Sequence, residues 1–196
     1  MWQLGATYGV SASDLNLSND ESALVRRRVV SVGLERRLGD RWAIEAGLGA
    51  SLGGDVTVGD ERYDLAAGWV ASLGGSFRIL DGEGMDPFLL VAVTAAAGSA
   101  KAEGPADEAA FTTLDVRGSL TVGKVFWKSL APYAVARVFG GPALWKRHDE
   151  SVTGSDKYHV QLGAGLLATA AGRMGAFVEV IPLGERSFSL GATVSF

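Results

Sequence analysis

The 196-residue chain has no cysteine, two histidines and five prolines. Without cysteine there is no disulfide framework and no thiolate metal centre, and an unfolded chain can cross an oxidising compartment without mispairing. Scarce proline leaves long stretches able to donate every ladder hydrogen bond. No apolar run approaches the roughly 20 residues that a membrane-spanning helix needs. The longest uncharged stretch, 87–100, is cut to strand length by Asp86 and Lys101. A basic excess is also lacking: the net charge is −4 with both signs interspersed, which gives no reason to expect a nucleic-acid partner. The opening Met-Trp-Gln-Leu-Gly carries no basic segment, apolar core or cleavage site. The expectation is a mature chain behind an added Met1, and the alternative is a cytosolic protein.

What the chain does contain is glycine (27 residues) and 47% hydrophobic residues, dispersed in alternation. Ten segments of period two read as strands. They cover about 2–11, 24–38, 41–52, 62–78, a fifth from Pro87, 112–126, a seventh from Pro132, 158–170, 176–181 and 187–196. In the third, Trp42, Ile44, Leu48 and Leu52 share one face, while Arg41, Glu45, Gly47 and Ser51 share the other. In the fourth, Tyr63, Leu65, Trp69, Leu73 and Phe77 oppose Arg62, Asp64, Ser72 and Arg78. Short connections (39–40, 80–86, 128–131, 171–175) alternate with longer polar ones (12–23, 53–61, 102–110, 141–156); the short loop 182–186 breaks that alternation. Short turns at one rim and long loops at the other are the asymmetry of outer-membrane barrels, with both termini on the periplasmic side. The expected fold is all-β, a transmembrane antiparallel up-and-down β-barrel of about ten strands, or alternatively eight, forming a single domain over 1–196.

Period two alone does not say which face points inward. Three features place the apolar face outward, toward lipid. The segments exceed the roughly five or six residues usual in soluble sheets and suit a tilted bilayer crossing. Aromatics collect at strand ends: Trp2, Trp42, Phe77, Phe126 and Phe196 toward the periplasmic interface, and Tyr8, Tyr63 and Tyr158 toward the outer one. The last strand places Ser189, Gly191, Val194 and Phe196 in the register polar–any–Gly–any–any–apolar–any–aromatic, ending on the final residue.

That ending resembles the C-terminal signal of outer-membrane β-barrel proteins. The Asp40-Arg41-Trp42 turn and the strand openings Pro87-Phe88 and Pro132-Tyr133 are similar to those of small barrels of the OmpW/OmpX and opacity-adhesin type. The resemblance implies residence in the bacterial outer membrane. It also implies that the barrel-assembly machinery recognises Ser189, Gly191, Val194 and Phe196, and that membrane lipid, lipopolysaccharide and an envelope protein are partners.

With the apolar face outward, parity sends Arg27, Glu35, Arg37, Glu45, Arg62, Asp64, Arg78, Asp115, Arg117, Arg137 and Glu179 into the lumen. Charges of both signs in a narrow interior should pair. Glu45, Arg137 and Glu179 lie at similar heights and are expected to form a salt-bridged cluster, acting as a rigidifying plug or as an ion-selective constriction. Arg26 and Arg28 fall on the lipid side near the long-loop rim, positioned to meet lipopolysaccharide phosphates or simply to snorkel. His148-Asp149-Glu150 in a long loop is the one cluster that could mimic the His-with-Asp site of a barrel enzyme, and His159 faces the lumen beside Gln161. The expected readings are a solvated loop and an ordinary lumen histidine, and loop acids such as Asp14, Asp20 and Asp55 lack calcium-ligand spacing. No cofactor motif is present. The expected function is a non-enzymatic outer-membrane barrel, a narrow pore or a structural and surface-interaction protein. The rivals are a barrel enzyme acting on lipid or peptide, and a soluble β-barrel that binds an apolar ligand.

Overall fold

The computed structural model describes the chain except residues 19, 83–85, 105–107, 148, 149 and 171, and describes 108, 147 and 150 by backbone only. Thirteen strands among the described residues form one antiparallel sheet. They are β1 (Trp2–Leu17), β2 (Ser22–Leu38), β3 (Trp42–Val58), β4 (Glu61–Leu65), β5 (Gly68–Asp81), β6 (Phe88–Glu103), β7 (Glu108–Gly123), β8 (Leu130–Gly140), β9 (Pro142–Arg147), β10 (Glu150–Asp156), β11 (Val160–Ala170), β12 (Met174–Leu183) and β13 (Arg186–Ser195). Short breaks at 66–67, 141 and 157–159 divide three long strands in two, so the count reduces to ten staves.

The sheet closes on itself twice, at two different sizes. At the short-turn end β1 pairs with β13, and the ring runs β1-β2-β3-β5-β6-β7-β8-β11-β12-β13, ten strands. At the other end the β12–β13 hairpin has already turned back, and β1 continues past it to pair with β10 (Leu15↔Asp156, Leu17↔Gly154). The ring there is β1-β2-β3-β4-β6-β7-β9-β10, eight strands. Both strand counts that the sequence allows are thus present, stacked along one axis.

The polarity of the wall inverts between the two rings. In the ten-stranded part the outside is apolar: Leu48 is 72% exposed and Leu73 67%, with Val32, Val93, Val116 and Val138 beside them on the same exterior. The inward positions are small or polar, among them Thr7, Gly9, Ser31, Gly47, Ser72, Thr94 and Ser119. Large apolar side chains facing out over about ten residues per strand match a bilayer-crossing barrel, and the burial expected of a soluble barrel is reversed. In the eight-stranded collar the inside is apolar. Leu15, Leu17, Ala23, Val25, Val56, Val58, Tyr63, Leu65, Phe111, Ala143, Trp145 and Val152 pack as one buried cluster. Trp145 meets Tyr63 edge-on at 4.8 Å and Phe111 at 6.0 Å. An eight-stranded barrel has an interior just wide enough for side chains to fill it.

These facts correct three sequence expectations. The long polar loops at 12–23, 53–61, 102–110 and 141–156 are mostly strand, because their polar residues cover the outside of the collar while alternate apolar ones fill it. Tyr63 is buried at 3% exposure and belongs to no aromatic girdle. Arg62 and Asp64 lie outside the collar, 64% and 76% exposed, paired with each other at 3.4 Å, and are not lumen groups. In β3 a bulge resets the alternation: Leu52 faces out but Val56 and Val58 face in. Glycine is required there, since Gly53 has φ +95° and a Cβ on Gly54 would overlap the Arg26 carbonyl.

Candidate functional site

Inside the ten-stranded part lies a cavity of about 530 Å³ lined by Arg27, Thr94, Asp115, Arg117, Arg137 and Glu179 among others. A second cavity of about 300 Å³ lies toward the short turns, lined by Gln3, Ser31, Glu35 and Ser72. Glu45 borders both. The strands that supply these groups alternate around them, with irregularities at Arg78/Leu80 and at Leu162/Ala164, so the charged inward residues face across the lumen.

Two polar layers divide the interior. In the first, Arg137 on β8 donates through Nη2 to both carboxylate oxygens of Glu179 on β12, at 2.7 and 2.9 Å. The Tyr133 hydroxyl donates to the same carboxylate at 3.2 Å. Tyr133 reaches across because its ladder partner is Gly165, where any Cβ would strike the phenol ring. Glu45 does not join this group: it accepts instead from Thr94 Oγ1 at 3.3 Å and stays open to the lumen. The expected triad is therefore a pair plus a tyrosine, with Glu45 on the facing wall. Arg78 is half-buried at the short-turn end and forms no ion pair among the described residues. Glu35 and Arg37 pair nearby at 3.4 Å.

The second layer lies directly under the collar core. Arg117 Nη2 contacts Asp115 at 3.1 Å and Glu185 at 3.0 Å. Gln161, 1% exposed, donates from Nε2 to Glu185 at 2.7 Å. Arg27 donates to Thr113 Oγ1 at 3.0 Å. The Arg117 guanidinium also stacks on the Phe139 ring at 5.3 Å. Asp156 stands beside this layer in the collar, beyond Tyr158. Its carboxyl is pushed up to about 6, first by burial and then by the nearby carboxylates of Glu185 and Asp115. Above the layer the free space shrinks to a cavity of about 60 Å³, room for a few waters.

Alternation places Asp115 and Arg117 in the lumen, but it gives no signal for Glu185, Asp156 and Gln161 as members of this layer. The one available signal was the anomalously short loop 182–186. It is short because β12 and β13 stop where the ring narrows, and that turn delivers Glu185 into the barrel. Gly184 makes the turn with φ +85°, and a Cβ there would overlap the Val160 carbonyl.

The remaining candidates separate. Ser189 and Gly191 face inward and Val194 outward on β13, and Phe196 is 69% exposed at the rim. Arg26 and Arg28 project outward and are exposed. His159 is exposed at the break before β11, with Nδ1 3.2 Å from the Phe139 carbonyl, and His148 lies outside the described residues. Among the described residues no group of three or more His, Asp or Glu side chains could hold a metal ion.

No family model matches the chain, and no curated protein matches it. Solved structures do match over its full length. The β domain of the Bordetella autotransporter BrkA has a TM-score of 0.55 at 16% identity, covering 100% of this chain and 99% of that one. The outer membrane protein OprG of Pseudomonas aeruginosa has 0.53 at 10% identity, covering 100% and 95%. An outer membrane channel from Pseudomonas putida F1 has 0.50 at 10% identity, again covering 100% and 95%. At these identities the likeness is one of fold: this chain has the fold of outer-membrane β-barrels.

Proposed function

We propose that this chain is an integral barrel of the bacterial outer membrane, closed to axial flow at its outer end, with a structural and surface-interaction role. The apolar exterior of the ten-stranded part supports the membrane placement. One observation carries the closure: the drop from ten strands to eight takes the interior from about 530 Å³ of free space to about 60 Å³ under a packed apolar core. On this reading the collar carries the surface-exposed hairpins on a rigid base. The terminal strand, with Ser189, Gly191, Val194 and Phe196, is the segment offered to the barrel-assembly machinery before the ring closes.

Planar-bilayer recording of the purified protein tests the closure. The expected result is no resolvable conductance step, and a steady open channel would overturn it. A heat-dependent gel mobility shift, with precipitation on removal of detergent, tests the membrane placement separately. The charged vestibule favours one second reading, a small-solute channel held shut by the second polar layer. Glu185→Ala separates the two: conductance stays at zero for a closed scaffold and appears for a gated channel. The reading is non-enzymatic, so His148→Ala and His159→Ala leave lipid A structure and proteolysis unchanged.

A further inference from the structure

The step from ten strands to eight leaves a ledge on the outside of the barrel. The β12–β13 hairpin ends there, and the collar wall rises behind it from β1 and β2. An external cleft of about 710 Å³ occupies this ledge. Its floor is apolar, with Val10, Val180, Pro182 and Phe188, and arginines rim it. Register places them in order. One row across the strands reads Arg186, Ala12, Arg26, and the row beneath reads Phe188, Val10, Arg28. Arg186 and Arg26 flank the small Ala12 from adjacent strands, about 10 Å apart by the interstrand spacing. Arg62 closes the group from β4.

The charge is only partly answered from within. Asp55, 7% exposed, sits behind the rim and draws Arg26 to 3.7 Å and Arg62 to 3.6 Å, and both arginines remain more than half exposed. Arg28 and Arg186 are exposed and pair with no acid among the described residues. Arg62 is also paired with Asp64 at 3.4 Å. Four guanidiniums against these two carboxylates, with Arg28 and Arg186 left over, directly above an apolar slot, suit an anion joined to a hydrocarbon chain. Arginine is the side chain that grips phosphate through two parallel hydrogen bonds. Phenylalanine, valine and proline beneath it offer an acyl chain a place to lie. The ledge stands where the apolar belt gives way to the polar collar, which is head-group height for the outer leaflet.

We propose that this ledge is a binding cleft for a phosphorylated, multiply acylated glycolipid of the outer leaflet. Arg28 and Arg186 bind the phosphate, Arg26 and Arg62 are held ready by Asp55, and one acyl chain packs along Val10 and Phe188. The proposal rests on the membrane placement above and adds to it a defined lipid site on one side of the barrel.

The test is titration of the full-length barrel in a non-ionic detergent with bisphosphorylated lipid A, read by native mass spectrometry and by the thermal unfolding midpoint. The expected result is a single tightly retained lipid and a raised midpoint. The double variant Arg28→Ala with Arg186→Ala weakens retention by roughly tenfold or more, as expected for loss of two charge-assisted contacts. The double variant Arg36→Ala with Arg41→Ala, at the short-turn rim, changes nothing. Inorganic phosphate at millimolar concentration does not displace the lipid, because it lacks the chain. Phosphatidylglycerol competes only weakly. Equal retention by the Arg28/Arg186 variant, displacement by inorganic phosphate, or equal affinity for phosphatidylglycerol each overturns the proposal. A barrel that shows the heat-dependent mobility shift yet retains no lipid A refutes the cleft alone. A protein soluble without detergent refutes the membrane placement and the cleft with it.

Discussion

The two halves of this barrel obey opposite rules with one chain. Below the ledge, inward positions are small or charged and outward ones are large and apolar. Above it, inward positions are large and apolar and outward ones are polar. The same strand runs through both without losing alternation: on β1 the inward series passes from Thr7, Gly9 and Ser11 to Leu15 and Leu17. The difference shows that period two specifies a wall and not an inside. What decides the inside is the solvent around each height, lipid below and water above, together with ring size. Ten strands leave space that must be lined with polar groups, and eight leave space that side chains fill.

The sharpest way to break the comparison is to exchange the two interiors. Phe111→Asp puts an unpaired carboxylate into the collar core and should cost about 4 kcal/mol or more. Ser119→Asp, inward on the same strand beside Arg137 in the register, should fall within about 1 kcal/mol of the parent. The midpoint of the heat-dependent mobility shift measures both. If the two substitutions cost the same, the inversion of polarity carries no energetic meaning.

A second pair tests the outsides against the insides. Trp145→Ala, at 4% exposure in the collar, should cost roughly 3–5 kcal/mol by cavity formation. Trp69→Ala, 51% exposed on the belt, should cost less than about 1 kcal/mol, since detergent or lipid solvates the site either way. Amide exchange of β9 against β5 distinguishes local from global loss.

The smallest expected effect is one of pH and concerns the boundary. Asp156 binds its proton more tightly when folded, because burial and two neighbouring carboxylates raise its pKa to about 6. Its contribution to stability is therefore full at acid pH, below the unfolded value, and is lost as pH rises through about 6. The collar should be more resistant to unfolding at pH 5 than at pH 7, and Asp156→Asn should flatten that dependence. Resistance that increases toward pH 7 in the parent would contradict the assignment.

Much of this architecture was legible in the residues. The ten staves, the outward apolar face and the inward course of Arg27, Asp115, Arg117, Arg137 and Glu179 all follow from alternation. The collar was not legible, because its strands carry polar residues on the outside and look like loops when apolar residues are expected there. The faces of Val56, Tyr63 and Asp64 were hidden by irregularities at 52–54 and 66–67 that shift the count by one. Glu185 escaped because it lies in a turn, where alternation says nothing, although the shortness of that turn marked where the ring narrows.

The narrowing also imposes an order of events. A collar with a charged skin cannot pass through hydrocarbon in its folded form. For a barrel entering from the short-turn side, the collar segments must cross as open hairpins and close only on the far side. Their apolar filling is then sequestered after crossing and not before. Returning would mean opening the collar and re-exposing Leu15, Val56, Phe111 and Trp145, which it buries. The taper therefore orders the steps: the collar closes over its buried residues only after crossing, and withdrawal would require opening it first.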